Sequence, residues 1–496
     1  MNLITSSFQT LIAHCLIFLQ GLIVIPLITK LSSIEDYGFY IIIISLLGII
    51  YGFSSFGYGY NATRYLPSSS TIEKRSELFV TQLYFQIISI ILLSVVLLII
   101  LHFGKKFNYF SLRDLSLTLL PLYLLSQVIY SQSIIFLRYT TKFGLMNLAT
   151  VLTPYLFIIF SLLAFYFFNE LKLNWLVSSN IIAMSLVGCC VFFIIRKEIN
   201  TKISIPSLDI IKRDISLGLP LALSFLVETM VIVGDRYVIA FFMTIKDVGN
   251  YSAAYSIGGL SVIIAKTFNV IVPPFISKMV DLGNVESSTK VIKIALRTYF
   301  IFAVPFIYGS FIFAKEILEI FTTKEASEMA WSIIPIISFS SIFFGINIIL
   351  STILFVQKRT KILFKINLSL ALINLSLNLL LIGIFRNIEI AAVTTVISYL
   401  IGSIWLISYL NTRWLDGITL KYIVYVNTIS LIMFSIVLFF KSIFYVDNIL
   451  LKTSCLIVFG FFIYLVLIFL TKKIVEEDIL LIKKLFKFNS NNEKIN

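Results

Sequence analysis

LFVTQLYFQIISIILLSVVLLIIL, residues 78–101, carries no charge over 24 consecutive positions. As a helix rising about 1.5 Å per residue it reaches ~36 Å, enough to cross a hydrocarbon layer of about 30 Å. Comparable stretches recur at 8–29, 37–60, 115–137, 144–168, 173–195, 215–241, 248–272, 296–314, 331–356, 362–385, 388–410, 422–440 and 448–470. With 78–101 that makes about 14 transmembrane helices in a chain of 496 residues. Composition agrees: 59% of residues are hydrophobic, 13% are charged and the mean hydropathy is +1.00, against about 25% charged in soluble domains. The fold class predicted is all-α and polytopic.

Nothing at the start reads as a removable leader: the first twelve residues lack Lys and Arg, so the first span is expected to stay in the mature chain. Cys15, Cys189, Cys190 and Cys455 all fall inside spans and read as small core hydrophobes, neither metal ligands nor disulfides. The formal charge of +14 is an orientation signal and not a nucleic-acid footprint. Loops after even-numbered spans, with adjoining span ends and the tail, hold 26 of the 39 Lys and Arg, against 11 after odd-numbered spans. Basic loops stay inside, so both termini are expected to be cytoplasmic. Residues 472–487 alternate charge clusters with apolar residues and suit a helix lying on the inner leaflet; the end of the tail is polar and expected to be disordered.

The chain also repeats itself. Ser33-Ile34-Glu35-Asp36-Tyr37-Gly38-Phe39-Tyr40 follows span 1, and Thr244-Ile245-Lys246-Asp247-Val248-Gly249-Asn250-Tyr251 follows span 7. Ile, Asp, Gly and Tyr recur at one offset of 211 residues, which also pairs Ser45 with Ser256 and Gly48 with Gly259. Asp at a helix start accepts bonds from free amides, Gly permits a tight turn, and Tyr suits the membrane boundary. Six spans separate the copies, so the two bundles have parallel topology. The expected organisation is a first bundle over 1–199, a second over 200–415, two added spans over 416–471 and a cytoplasmic tail over 472–496. Transporters so built hold substrate between like-oriented halves and alternate access by rocking.

The stretch 31–40, together with Gly218-Leu219-Pro220-Leu221, Gly234-Asp235-Arg236-Tyr237 and Val248-Gly249-Asn250-Tyr251-Ser252-Ala253-Ala254, resembles the Wzx-type O-antigen and capsule flippases of the multidrug/oligosaccharidyl-lipid/polysaccharide exporter superfamily. The resemblance implies translocation of undecaprenyl-diphosphate-linked oligosaccharide from the inner to the outer leaflet of a bacterial inner membrane. It also implies membrane lipids as surroundings and a polymerase and glycosyltransferases of the same pathway as partners. No resident cofactor is expected; H⁺ or Na⁺ coupling stays open.

Ionisable groups at membrane depth are costly and mark pathways. The chain has few: His14 in span 1, Glu228 and Asp235-Arg236 in span 7, and Lys266 in span 8, with Arg64 and Arg138 at inner span ends. Ser252, Ser256, Gly259 and Lys266 follow helical steps and predict one polar, small-residue face. Ser7, Thr10, His14 and Gly21 do the same on span 1, and Ser45, Gly48, Gly52, Ser55 and Gly59 form a seam on span 2 that suits a close helix contact or the edge of a cavity. A cationic pocket of His14, Arg64 and Lys266 suits a diphosphate headgroup, Lys acting as a point charge, with Glu228 as a further residue of the same cavity. In lipid II flippases, by the same resemblance, basic residues of spans 1, 2 and 8 line the cavity. Duller readings stand beside these: Arg64 and Arg138 as snorkelling ends, His14 in a helix contact, Lys266 paired with Glu228. Asp235 and Arg236 read as a gate or structural lock, although neighbours in sequence point apart and a shared salt bridge is not required. Asn367, Asn374 and Asn378 share a face of span 11 and suit interhelical hydrogen bonds.

A cation-coupled multidrug antiporter of the same superfamily is the first rival, disfavoured because spans 1–6 hold no carboxylate at membrane depth. A membrane glycosyltransferase or polymerase is the second; no inter-span stretch carries a convincing acidic pair, and no GxxxxGK[ST] loop offers ATP chemistry. The chain is expected not to be an enzyme.

Overall fold

The computed structural model describes residues 3–56, 72–106, 116–140, 142–196, 208–281, 285–357, 359–410, 412–415 and 420–471. Among these there is no β-strand. The helices are α1 (Leu3–Leu31), α2 (Ile34–Ser54), α3 (Ile72–Lys106), α4 (Leu119–Tyr139), α5 (Phe143–Phe168), α6 (Leu173–Ile195), α7 (Leu208–Phe242), α8 (Ile245–Gly258), α9 (Val262–Asp281), α10 (Val285–Phe321), α11 (Lys324–Ala330), α12 (Ile333–Val356), α13 (Thr360–Phe385), α14 (Ile388–Ser408), α15 (Leu420–Ile443) and α16 (Ile449–Leu470).

Twelve of these, searched over the described residues, are long and apolar enough to cross a membrane. The two further expected spans fall on α7 and on α8 with α9, which a 3₁₀ turn at Gly259–Ser261 separates. The chain is a multi-pass, all-helical membrane protein. In hydrocarbon every backbone amide needs a partner within its own segment, so helices are the available form. Large apolar side chains cover the outside: Leu92 of α3, Phe193, Ile384, Val458 and Leu470 are all well exposed. Such a surface would be a liability in water and is the expected contact with lipid. The four cysteines belong to it. All are free and exposed, which corrects their expected place in the core: a thiol is apolar enough to face lipid without a burial partner.

Contacts divide the chain into two compact units, residues 1–240 with 244–249, and residues 241–243 with 250–496. In the first, α4 packs on α6 and α6 on α5, with α1 against α5. Gly188 lets α6 approach the Tyr130 backbone, where a Cβ would lie 3.0 Å away. Phe79 and Phe136 meet edge-on at 5.2 Å in its core. In the second unit α12 packs on α14, α10 and α9, and α13 on α14. Serine and asparagine tie these helices: Asn347 Nδ2 donates to Ser403 Oγ at 2.9 Å. Asn378 Nδ2 donates to Asn374 Oδ1 at 3.1 Å, and Thr394 Oγ1 donates to Asn378 Oδ1 at 2.5 Å, joining α13 to α14 as the sequence predicts. Asn367 is exposed and takes no part. The last two helices pack on α10 through Ile312, Met433 and Leu456, and Tyr464 Oη donates to the Ile301 carbonyl at 2.7 Å.

Candidate functional site

The two copies of the repeat fold alike. Ser33 caps α2: its Oγ accepts from the Asp36 amide at 3.0 Å and donates to Asp36 Oδ2 at 2.7 Å. Thr244 caps α8 the same way, accepting from the Asp247 amide at 3.2 Å and donating to Asp247 Oδ2 at 2.6 Å. The hydroxyl in each case satisfies an amide that a helix start leaves without a partner, and the carboxylate holds the hydroxyl in place. Beyond each cap stands the glycine, and its lack of a side chain is used. A Cβ on Gly38 would lie 2.3 Å from the Ile245 carbonyl oxygen, and one on Gly249 would lie 2.0 Å from that of Ile34. The two capped helix starts therefore touch backbone to backbone through their glycines.

The small-residue seam of α2 lies against α7. Ser45 Oγ and Tyr237 Oη are 2.8 Å apart, and Gly52 receives the Phe225 ring. Gly48, between them, has open space where a Cβ would be, so the seam is a helix contact at both ends and a gap in the middle. α7 as far as Ala240 belongs to the first compact unit. Gly59, with Ser7 and Thr10 of the other expected face, lies outside what the structure describes at side-chain level.

Asp235 and Arg236 do pair. Arg236 Nη1 reaches Asp235 Oδ1 at 3.2 Å, with side chains only 8% and 3% exposed. The long guanidinium stem folds back along α7, where the same Nη1 donates to the Ile232 carbonyl at 2.7 Å. That backward turn brings together two side chains whose Cβ atoms diverge.

Lys266 and Glu228 are exposed, and Glu228 has no ion pair among the described residues. His14 is exposed on α1, and the Arg138 guanidinium acts on it electrostatically. Arg138 is exposed at the end of α4; Tyr155 Oη fixes α1 near His14, donating to the Leu16 carbonyl at 3.1 Å. Arg64 and the amphipathic tail lie outside the described residues. The predicted straight face from Ser252 to Lys266 is broken. The 3₁₀ turn at Gly259–Ser261 advances about 120° per residue instead of 100°, so three residues rotate the next helix by roughly 60°. Ser252 is buried and Lys266 exposed accordingly. The turn is held against α12: Ser261 Oγ meets Ser341 Oγ at 2.5 Å, and Ser338 Oγ shares its proton between the Ile334 carbonyl at 2.7 Å and the Gly258 carbonyl at 3.2 Å.

Three polar features go beyond the sequence reading. Gln86 and Gln132 are buried and bonded to each other, with Gln82 buried beside them in α3; the four-residue spacing of Gln82 and Gln86 within span 3 is the available signal. Arg297 is 6% exposed, its guanidinium 4.7 Å from the Tyr422 ring centroid. Glu316 and Lys441 form an ion pair at 2.6 Å. Arg297, Glu316 and Lys441 sit at span ends, where the sequence alone counts them with the loops.

Caps duplicated at 33–40 and 244–251 and a glycine contact joining them form one pattern, and a family model described as "Polysaccharide biosynthesis protein" matches residues 3–280, spanning both copies. The chain belongs to that family. A second model, MatE, matches residues 220–380 of this polysaccharide biosynthesis family member. Among solved structures it is similar to the lipid II flippase MurJ in an inward closed conformation, at 18% identity and TM-score 0.70 over 96% of this chain and 100% of that one. It is also similar to an inward-facing multidrug resistance MATE family transporter, at 14% identity and TM-score 0.66 over 85% and 99%. A MOP superfamily transporter from Pyrococcus furiosus aligns at 14% identity and TM-score 0.60 over 81% and 94%. The fold is that of the multidrug/oligosaccharidyl-lipid/polysaccharide exporters. No curated protein matched the chain.

Proposed function

We propose that the chain is a flippase that carries undecaprenyl-diphosphate-linked oligosaccharide, an O-antigen or capsule repeat unit, from the cytoplasmic to the outer leaflet by alternating access. The observation that carries this reading is membership of the polysaccharide biosynthesis family. The charge inventory supports it. An exposed lysine in α9, and an exposed histidine and arginine in the first unit, suit a diphosphate; the first six spans hold no carboxylate at membrane depth. His14, Arg64, Lys266 and Glu228 are the proposed substrate contacts, and Asp235 with Arg236 the lock. The bundles 1–199 and 200–415 are the proposed working halves, with both termini cytoplasmic in a bacterial inner membrane. Deleting the gene should leave lipid-linked repeat units on the inner leaflet, and reintroducing the chain should clear them. Unchanged surface polysaccharide in the deletion strain would refute the proposal.

The MatE match over 220–380 favours a second reading, a cation-coupled drug antiporter, with Glu228 as the exposed titratable carboxylate. It predicts drug sensitivity of the deletion strain with intact surface glycan.

A further inference from the structure

Away from the proposed substrate contacts, a cavity of about 270 Å³ opens where the end of α10 meets the end of α15 and the start of α16. Its floor is the ion pair of Glu316 and Lys441. Lys441 is fully engaged: Nζ lies 2.6 Å from Glu316 Oε1, donates to the Ile312 carbonyl at 2.5 Å and sits 5.5 Å from the Phe313 ring centroid. That leaves two charges lining the cavity, Asp447 and Lys452. Neither forms an ion pair among the described residues, with the other or with anything else.

The charge count selects the ligand. An anion alone would gain from Lys452 and lose to Asp447; a cation alone would do the reverse. A molecule carrying both signs a few ångströms apart satisfies both. Glu316 Oε2, which has no hydrogen-bond partner, offers a further acceptor for an ammonium N–H. The volume holds about nine water molecules at ~30 Å³ each, a headgroup and not an oligosaccharide. Ile443, Leu450 and Leu451 flank the site and are more than half exposed, giving acyl chains an apolar surface to lie on.

We infer that this cavity binds the headgroup of a zwitterionic phospholipid bearing a primary ammonium, as in phosphatidylethanolamine, its phosphate on Lys452 and its ammonium on Asp447. The loops meeting there follow odd-numbered spans, the side that the Lys and Arg distribution places away from the cytoplasm. The inference does not depend on which substrate the protein carries.

Purified full-length protein in nanodiscs of defined composition tests it, by native mass spectrometry of retained lipid and by the apparent melting temperature. Phosphatidylethanolamine should be retained about tenfold better than phosphatidylcholine, which lacks N–H donors, and than anionic phosphatidylglycerol. Lys452→Gln and Asp447→Asn should each abolish that preference while leaving melting in phosphatidylcholine nanodiscs unchanged. Equal retention of the three lipids, or a preference surviving both substitutions, would overturn the inference. Soluble glycerophosphoethanolamine is the control for source: failure to compete at millimolar concentration supports a lipid, and full competition overturns it in favour of a free phosphate ester.

Discussion

Replacing Gly249 by Ala adds one methyl group where the Ile34 carbonyl oxygen lies 2.0 Å away. Ordinary contact begins at 3.4 Å, so the two helix starts must part by 3.4 − 2.0 = 1.4 Å. Gly38→Ala meets the Ile245 carbonyl at 2.3 Å and needs 3.4 − 2.3 = 1.1 Å. The obstacle is backbone in both cases, so no rotamer change relieves it, and overpacking of this kind costs about 1–3 kcal/mol. Helix propensity pulls the other way. Neither glycine has the positive φ that would penalise a side chain, and Ala inside a helix is favoured over Gly by about 0.8–1 kcal/mol. The sign therefore discriminates. Each variant should lower the apparent melting temperature of the purified protein, Gly249→Ala more than Gly38→Ala. The double variant should lose less than the sum, because one separation relieves both clashes. A raised melting temperature in either single variant would refute the glycine contact.

Lys266→Ala should abolish polysaccharide export with normal membrane insertion, checked by surface glycan staining beside membrane-fraction blotting; unchanged export removes it from the substrate contacts. Asp235→Asn removes the carboxylate charge that Arg236 Nη1 meets at 3.2 Å, and weakening a buried charge pair on one side costs up to about 3–5 kcal/mol; the yield of monodisperse protein should fall. Ser45→Ala and Tyr237→Phe should show a coupling of about 0.5–1.5 kcal/mol in a double-mutant cycle read by thermal melting, and zero coupling would mean that α2 and α7 do not meet there. Lys441→Met should destabilise, and adding Glu316→Leu should recover most of the loss because the pair is then replaced by apolar packing.

Span positions are legible in the sequence because hydropathy acts over whole segments and lipid tolerates few exceptions. The cap at Thr244 is legible because a two-residue chemistry, hydroxyl and carboxylate three apart, has one economical geometry. The meeting of Gly38 with Gly249 is not, since it depends on how two segments 211 residues apart dock. Asp235 and Arg236 resist for the opposite reason: backbone direction says their Cβ atoms diverge, and only the reach of the arginine stem reverses that. The cysteines go astray because apolarity alone does not tell a core position from a lipid-facing one in a chain whose two surroundings are equally oily. The 3₁₀ turn at 259–261 has no breaker residue beyond glycine, and its contacts are with serines of α12, 80 residues further along the chain.

Those serines have a mechanical consequence. Hydroxyls from α12 meet the change of winding between α8 and α9, so sliding or rolling either past α12 breaks the Ser261–Ser341 hydroxyl bond and returns the shared Ser338 proton to the Ile334 carbonyl. Lys266, five residues further on, travels as cargo of that clamped assembly, its reach altered by movement of the whole block and hardly at all by bending within it.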